Sequence, residues 1–234
     1  MELSKRLRAV AGLVTEGASV ADIGTDHGYI PIYLVSQGIA EKVIASDINE
    51  GPLERARVHI SEYKDTDGRI ETRRSDGLKA IKPGEVDTMI AAGMGGGLII
   101  KILEEGKGVT AQMDTLILQP QSEIKKVRSY LNSHGFRTAQ EDMVKEDGKY
   151  YPMMKAVHGE ERCYTDAELL YGRLLLEQRH PVLKEYLMRE MRIRNDIAGR
   201  LRESAGRRQE ERAAEIEREL LLIREALGRY DDGK

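Results

Sequence analysis

The chain has 234 residues, of which 33% are charged and 40% hydrophobic, with a net charge of −3 at neutral pH. These proportions exclude a disordered or membrane-embedded chain, and the small negative charge provides no bulk attraction to nucleic acid. The length suffices for one catalytic-sized domain and a smaller appendage.

Leu3, Leu7, Val10 and Val14 recur at helical spacing before Gly17, so the chain is expected to open with an amphipathic helix carrying a basic outer face. Lys5, Arg6 and Arg8 interrupt that apolar series, which argues against a signal peptide. The single cysteine, Cys163, allows no internal disulfide and suits a reducing cytoplasm. The longest apolar runs, Leu174–Leu176 and Leu220–Ile223, fall far short of the ~20 residues a membrane-spanning helix needs.

Val20–Ile23 reads as a strand, Gly24–Gly28 as a glycine-bearing loop and Ile30–Val35 as a helix, with Pro31 tolerated in its first turn. The alternation continues with strands at Val43–Ser46, Ile70–Arg73, Val86–Ala92 and Thr115–Leu118. Helices are expected at Pro52–Tyr63, Gly97–Glu105 and Ser122–Ser133. Such a pattern predicts a doubly wound, mostly parallel α/β sheet of the Rossmann-like kind. Arg137–Val144 and Tyr150–Val157 flank Asp147-Gly148, a hairpin signal, so the seven-stranded sheet is expected to end in an antiparallel hairpin.

From Thr165 onward every signal is helical. Thr165-x-x-Glu168 is a capping box, Pro181 can open a helix, and Ala213, Ile216, Leu220, Ile223 and Leu227 keep a three-four spacing. The division expected is a catalytic domain over residues 1–161 and a coiled-coil-like helical hairpin over 162–234, with Gly199 and Gly206 marking the bend between its long arms. The apolar stripe favours pairing within the chain over a dimer zipper, which slightly favours a monomer and leaves the oligomeric state open.

The chemistry is concentrated where strands end. Asp22 closes the first strand and runs into Gly24-Thr25-Asp26-His27-Gly28-Tyr29. Ligands of such sheets bind beyond the carboxyl ends of the strands. Gly24 lets backbone approach a bound molecule, Gly28 lets the next helix start against the sheet, and the Asp22 carboxylate can accept from a cationic amine. S-adenosylmethionine carries such an amine. Asp47 ends the second strand, where a carboxylate can accept both ribose hydroxyls, and Asp76 follows the third, where it could hold an adenine edge.

Together these residues resemble the class I S-adenosylmethionine-dependent methyltransferases over roughly Val20 to Val157. One departure is that Asp26 replaces the middle glycine usual in that turn. The chain is more specifically similar to the bacterial tRNA (adenine-22-N1)-methyltransferase family. That similarity runs through Asp22-Ile23-Gly24-Thr25-Asp26-His27-Gly28-Tyr29-Ile30-Pro31, Ala92-Gly93-Met94-Gly95-Gly96, Leu118-Gln119-Pro120-Gln121 and the helical tail. It implies S-adenosyl-L-methionine as methyl donor, S-adenosyl-L-homocysteine as product and tRNA as partner.

On that reading the donor is held by Asp22, Gly24, Thr25, His27, Gly28, Asp47, Ile48, Asp76, Gly77 and Gly93. Asp26 and Tyr29 are the catalytic candidates, and Arg6, Met94, Gln119 and Gln121 are expected to meet the substrate.

Plainer roles compete for several of these residues. Asp26 can serve as a helix cap, and Gly93-Met94-Gly95-Gly96 can be a tight packing turn. His27 has no histidine or cysteine at ligand spacing, so no metal site is expected. Arg189, Arg192, Arg194, Arg200, Arg202, Arg207, Arg208 and Arg212 can track an RNA backbone, as can Lys5, Arg6 and Arg8. Interleaved Glu190, Asp196, Glu203, Glu210 and Glu211 suit a solvated helix face equally well. A dinucleotide oxidoreductase is disfavoured because Asp26 would repel a pyrophosphate. A class I methyltransferase of small molecules or proteins shares every donor-site feature and is the alternative.

Overall fold

The computed structural model describes residues 2–63, 66, 68–202 and 207–230, and the chain divides into two compact units, Met1–Arg162 and Cys163–Lys234. In the first unit the helices are α1 (Lys5–Ala11), α2 (Tyr29–Ser36), α3 (Glu50–Ser61), α4 (Gly96–Glu105), α5 (Lys107–Thr110) and α6 (Ile124–Ser133). The strands are β1 (Ala18–Ile23), β2 (Ala40–Asp47), β3 (Ile70–Arg74), β4 (Thr88–Gly95), β5 (Thr115–Ser122), β6 (Phe136–Glu146) and β7 (Lys149–His158).

They form one seven-stranded sheet in the order β3-β2-β1-β4-β5-β7-β6. β1 pairs in parallel with β2 and β4, β2 with β3, and β4 with β5; β7 is antiparallel to β5 and β6. The expected mostly parallel sheet with a terminal antiparallel hairpin is borne out. The hairpin turns on Asp147 (φ 48°) and Gly148 (φ 74°), the pair of positive φ angles a type I′ turn requires.

The central strands are apolar on both faces because helices cover both. Successive residues of β1 point to opposite sides. Ala21 and Ile23 join a core with Ile99, Leu103, Val127 and Leu131 of α4 and α6, while Val20 joins Val10, Leu34 and Val35 of α1 and α2. Between α6 and β6 lies a buried ion pair, Arg128 Nη2 to Glu141 Oε1 at 2.8 Å, each side chain 1% exposed. The strand order reverses between β1 and β4, and the crevice beyond their carboxyl ends is where such folds bind ligands.

Several local expectations shift. α1 ends at Ala11, and Leu13 and Val14 are buried in the turn that follows it. β4 begins at Thr88 and runs on to Gly95, carrying Gly93 and Met94 into the strand's end rather than into a loop.

The second unit holds α7 (Asp166–Tyr171), α8 (Arg173–Glu177), α9 (Pro181–Arg202) and α10 (Arg207–Gly228). The Thr165–Glu168 capping box is present and Pro181 opens α9. Two short helices precede Pro181, parted at Gly172, which sits at φ 95°, outside the helical region. α9 and α10 pack through Ala198, Ile216 and Leu220 and are joined by Arg194 Nε donating to Glu219 Oε2 at 2.7 Å. Gly199 lies inside α9, where it is exposed and meets no neighbour, so it marks no bend; the packing of Ala198 and Leu201 beside it offsets its weak helix propensity. Gly206 lies outside the described residues.

Candidate active site

Two cavities open at the carboxyl ends of β1 and β4, and both are lined by Gly24 and Ala92. The first encloses about 690 Å³ of space, part of it open to solvent, and is lined by Gly24, Asp47, Ile48, Asp76, Gly77, Gly93 and Met94 among others. The second, about 650 Å³ on the same measure, is lined by Arg6, Leu7, Asp22, Ala92 and the continuous stretch Gly24–Ile30.

The turn after β1 is held from below, since the Gly24 and Thr25 N–H groups both donate to the Ser46 carbonyl, at 2.8 and 2.9 Å. Gly24 has φ 76°, a conformation that favours glycine, while the Met94 methyl that a Cβ there would meet at 2.3 Å is the flexible end of a side chain and can swing aside. Gly28, at φ 69°, lets the turn press on α3: its Cβ would lie 3.3 Å from that of Ala56.

Asp22 is 5% exposed, and burial pushes its carboxyl up to about 6 despite a hydrogen bond from Thr25 that pulls the other way. A buried carboxylate opening on a cavity is suited to a cationic partner. Asp47 accepts the Asn49 N–H at 2.7 Å, and its carbonyl accepts from Ser75 at 2.9 Å, which ties β2 to the segment leading to Asp76. Asp76 is paired with Lys79, which holds its carboxyl below the usual range. Ile48 and Leu98, both about half exposed, supply apolar surface at the mouth of the first cavity. An amine-accepting acid, two further acids and apolar surface are the set an adenosyl amino acid calls for.

On the second cavity's side, Arg55 Nη2 of α3 donates to Asp26 Oδ1 at 2.5 Å, and His27 Nε2 lies 3.1 Å from the other oxygen. The Arg55 hydrogen bond is the main reason the Asp26 carboxyl sits below its ordinary range. Asp26 therefore does not serve as a side-chain cap: α2 begins after Gly28 without one. The rings of His27, Tyr29 and His59 lie within 22° of parallel, with centroids 5.1–5.3 Å apart in every pairing. His59 Nδ1 donates to the His27 carbonyl at 3.0 Å.

Arg6 reaches in from α1. Its Nη1 donates to Gln119 Oε1 at 2.9 Å and its guanidinium lies 5.6 Å from the centre of the Tyr151 ring. Glu146 anchors that end of α1 by accepting the Lys5 N–H at 2.6 Å and the Arg6 N–H at 3.3 Å. A Cβ on Gly93 would lie 3.4 Å from Arg6 Nη1 and 3.5 Å from Gln121 Nε2, so Arg6, Gly93, Gln119 and Gln121 converge.

The expected residues thus divide between the two cavities. Asp47, Ile48, Asp76, Gly77 and Gly93 line the first; Asp22, Thr25, Asp26, His27, Gly28, Tyr29 and Arg6 line the second; Gly24 belongs to both. Met94, expected to face substrate, lines the first cavity. Gln119 is fully buried under Arg6, and neither Gln119 nor Gln121 lines either cavity. Arg55, His59, Leu98, Glu146 and Tyr151 escaped the sequence reading. Leu98 alone left a trace there, as an apolar residue at the start of the helix after Gly93–Gly96. Among the described residues no group of three His, Cys, Asp or Glu could hold a metal ion.

The sheet order and the acids at the ends of β1, β2 and β3 define a class I methyltransferase, and the family model described as a methyltransferase domain matches residues 3–154. The tRNA (adenine(22)-N(1))-methyltransferase of Bacillus subtilis is 33% identical over 233 residues, 97% of this chain and 98% of that protein. The chain belongs to the tRNA (adenine(22)-N(1))-methyltransferase family.

Solved structures agree. A Streptococcus pneumoniae protein described as a candidate tRNA (m1A22) methyltransferase, in complex with S-adenosyl-L-methionine, is 32% identical with TM-score 0.84, covering 97% of this chain and 100% of that one. TrmK of M. capricolum, in complex with S-adenosyl-homocysteine, is 27% identical with TM-score 0.84, covering 98% and 99%.

Proposed function

We propose that this chain transfers the methyl group of S-adenosyl-L-methionine to N1 of an adenine in tRNA, leaving S-adenosyl-L-homocysteine. Asp47 and Asp76 hold the donor in the first cavity, Asp22 meets its amine where the second cavity adjoins at the shared Gly24, and the base enters the second cavity beside Asp26 and Tyr29. The observation that carries this reading is the sharing of Gly24 and Ala92 by two adjacent cavities, which sets the space lined by Asp47 and Asp76 beside the space lined by Asp26 and Tyr29. The donor, when bound, supplies an electrophilic methyl on a sulfonium.

Adenine N1 already has an in-plane lone pair, so the reaction demands orientation more than a base, and no proton has to leave for the bond to form. The ring gains positive charge as the methyl arrives. Asp26, kept ionised by Arg55 and His27, is the carboxylate placed to stabilise that charge. Tyr29 offers a partly exposed ring for stacking, and Arg6, steadied by Gln119, Tyr151 and Glu146, offers a cation at the same rim.

The C-terminal helical unit and the basic face of α1 would grip the tRNA outside the catalytic cavity. In that unit Arg189, Arg194 and Arg212 already pair with glutamates, so RNA would have to compete for them. One cysteine in 234 residues is compatible with a reducing cytoplasm.

The test is transfer of labelled methyl to unmodified tRNA transcripts, with the product nucleoside identified by mass spectrometry and Asp47→Ala as control. N1-methyladenosine that disappears in the control is the expected result. Donor binding with every tRNA left unlabelled would shift the assignment to a small-molecule or protein substrate.

A further inference from the structure

We infer that Arg6 of α1 binds the carboxylate at the amino-acid end of the donor, so that Arg6 and Asp22 together clamp a zwitterionic α-amino acid group. The inference rests on the donor reading above and gives to the donor a residue expected from sequence to meet the substrate.

Strand register sets the two charges on one face of the sheet. Side chains alternate along β1: Ala21 and Ile23 pack with α4 and α6, Val20 packs with α1 and α2, and Asp22 therefore faces α1. Ile90 of β4 is paired with Asp22 and shares the core cluster of Val20. Two residues farther along β4 comes Ala92, paired with Gln119 of β5. On ordinary strand spacing and rise, Ala92 lies about 8 Å from Asp22 towards the carboxyl ends, an offset with room for an α-amino acid group hydrogen-bonded at both ends.

Arg6 arrives at that point. Its Nη1 donates to Gln119 Oε1 at 2.9 Å and would lie 3.4 Å from a Cβ on Gly93. Gly93 lines the donor cavity, Arg6 and Asp22 line the cavity beside it, and Ala92 lines both. Of the three basic residues at the start of the chain, Arg6 lines that cavity, whereas Lys5 and Arg8 are exposed and suit a phosphate outside it.

The protein neutralises neither charge. Among the described residues no carboxylate forms an ion pair with the Arg6 guanidinium, which is held by the Gln119 amide oxygen and lies against the Tyr151 ring; Glu146 bonds its main-chain N–H. Asp22 accepts from Thr25, which is also neutral, and among the same residues no cation pairs with it. The arginines of the second unit differ, since Arg189, Arg194 and Arg212 each meet a glutamate. An α-amino acid, cationic at nitrogen and anionic at carboxyl, complements both open charges, and the forked N–H groups of arginine match a carboxylate.

The experiment is calorimetry on the full-length protein at about pH 8, where Asp22 is ionised. It compares S-adenosyl-L-methionine with its decarboxylated form, which keeps the amine and the sulfonium but lacks the carboxylate. The unaltered protein is expected to bind the complete donor about thirtyfold more tightly, as one charged hydrogen-bonded pair would give. In Arg6→Met the preference should fall to about twofold or less while the Kd of the decarboxylated form stays unchanged, which also shows that the cavity is intact. Arg6→Lys should keep part of the preference.

A preference that is missing from the unaltered protein, or that survives Arg6→Met, overturns the inference and leaves methyl transfer to tRNA intact. Survival with a raised KM for tRNA would make Arg6 a phosphate contact instead. Should Arg6→Met bind neither ligand, Arg6→Lys decides: a reduced preference supports the assignment and an unchanged one overturns it. Failure of the unaltered protein to bind either ligand overturns the underlying donor reading.

Discussion

At Asp22 the fold keeps a carboxylate in a place hostile to its charge. Its folded pKa, about 6, lies above the 3.8 expected of an unfolded chain, so the folded state binds the extra proton. Stability of the ligand-free protein from this group is therefore highest below pH 3.8 and is lost as pH rises towards 6, a cost of about 3 kcal/mol once complete. Donor binding runs the other way, because a cationic amine needs the ionised form. Calorimetric Kd for S-adenosyl-L-methionine is expected to weaken by up to about tenfold per unit below pH 6, and Asp22→Asn to be weaker throughout and flat with pH. A wild-type Kd independent of pH between 5 and 7 would remove Asp22 from the donor site.

Asp26 is the opposite case, exposed and held ionised by Arg55. Asp26→Asn retains size but not charge, and should lower kcat by about 10²-fold while donor Kd stays the same. Single-turnover kinetics with saturating tRNA make that distinction; a change confined to KM would mean that the carboxylate binds rather than stabilises. Gly24→Ala should weaken donor binding by about tenfold or more, chiefly because its φ is left-handed; the Met94 methyl can swing aside, so adding Met94→Ala should recover little. A double variant that binds donor fully would place the constraint in Met94 alone.

Among the elements, α6 and β6 are joined by a charge pair in the core. Arg128 and Glu141 are both 1% exposed, so removing one partner strands the other in apolar surroundings. Glu141→Ala is expected to cost about 3–5 kcal/mol by denaturant unfolding, and Arg128→Met with Glu141→Leu to recover most of it. A single variant with unchanged stability would mean that water reaches the pair. The same element logic explains α1. Glu146 of β6 accepts two of its N–H groups, which binds the helix to the sheet at the residue where Arg6 enters the site.

For the whole molecule, the two units each bury their own apolar residues: one around the central strands, the other around Ala198, Ile216 and Leu220. A fragment ending at Arg162 is expected to bind the donor with the Kd of the full chain and to lose tRNA affinity by about tenfold or more, with a shallower salt dependence. Equal tRNA binding by the fragment, measured by filter retention across a salt series, would confine recognition to the first unit.

Much of this architecture is legible in the chain because it depends on neighbours in sequence. Alternation of short apolar strands with amphipathic helices specifies a parallel sheet, and Asp147-Gly148 specifies the turn that adds the antiparallel pair. The strand-end acids and the glycine turn are equally local, so membership of the methyltransferase class can be read from residues 20–77. Other features need the folded chain. Arg55 meets Asp26 across 29 positions and Arg6 meets Gln119 across 113. His59 joins two rings from another element, and Gly172 breaks a helix that capping signals favoured. Local period and turn chemistry fix elements and their order, but which side chains meet is decided by how crossovers lay helices against the sheet. Distant pairs such as Arg55 with Asp26 exist only after that packing.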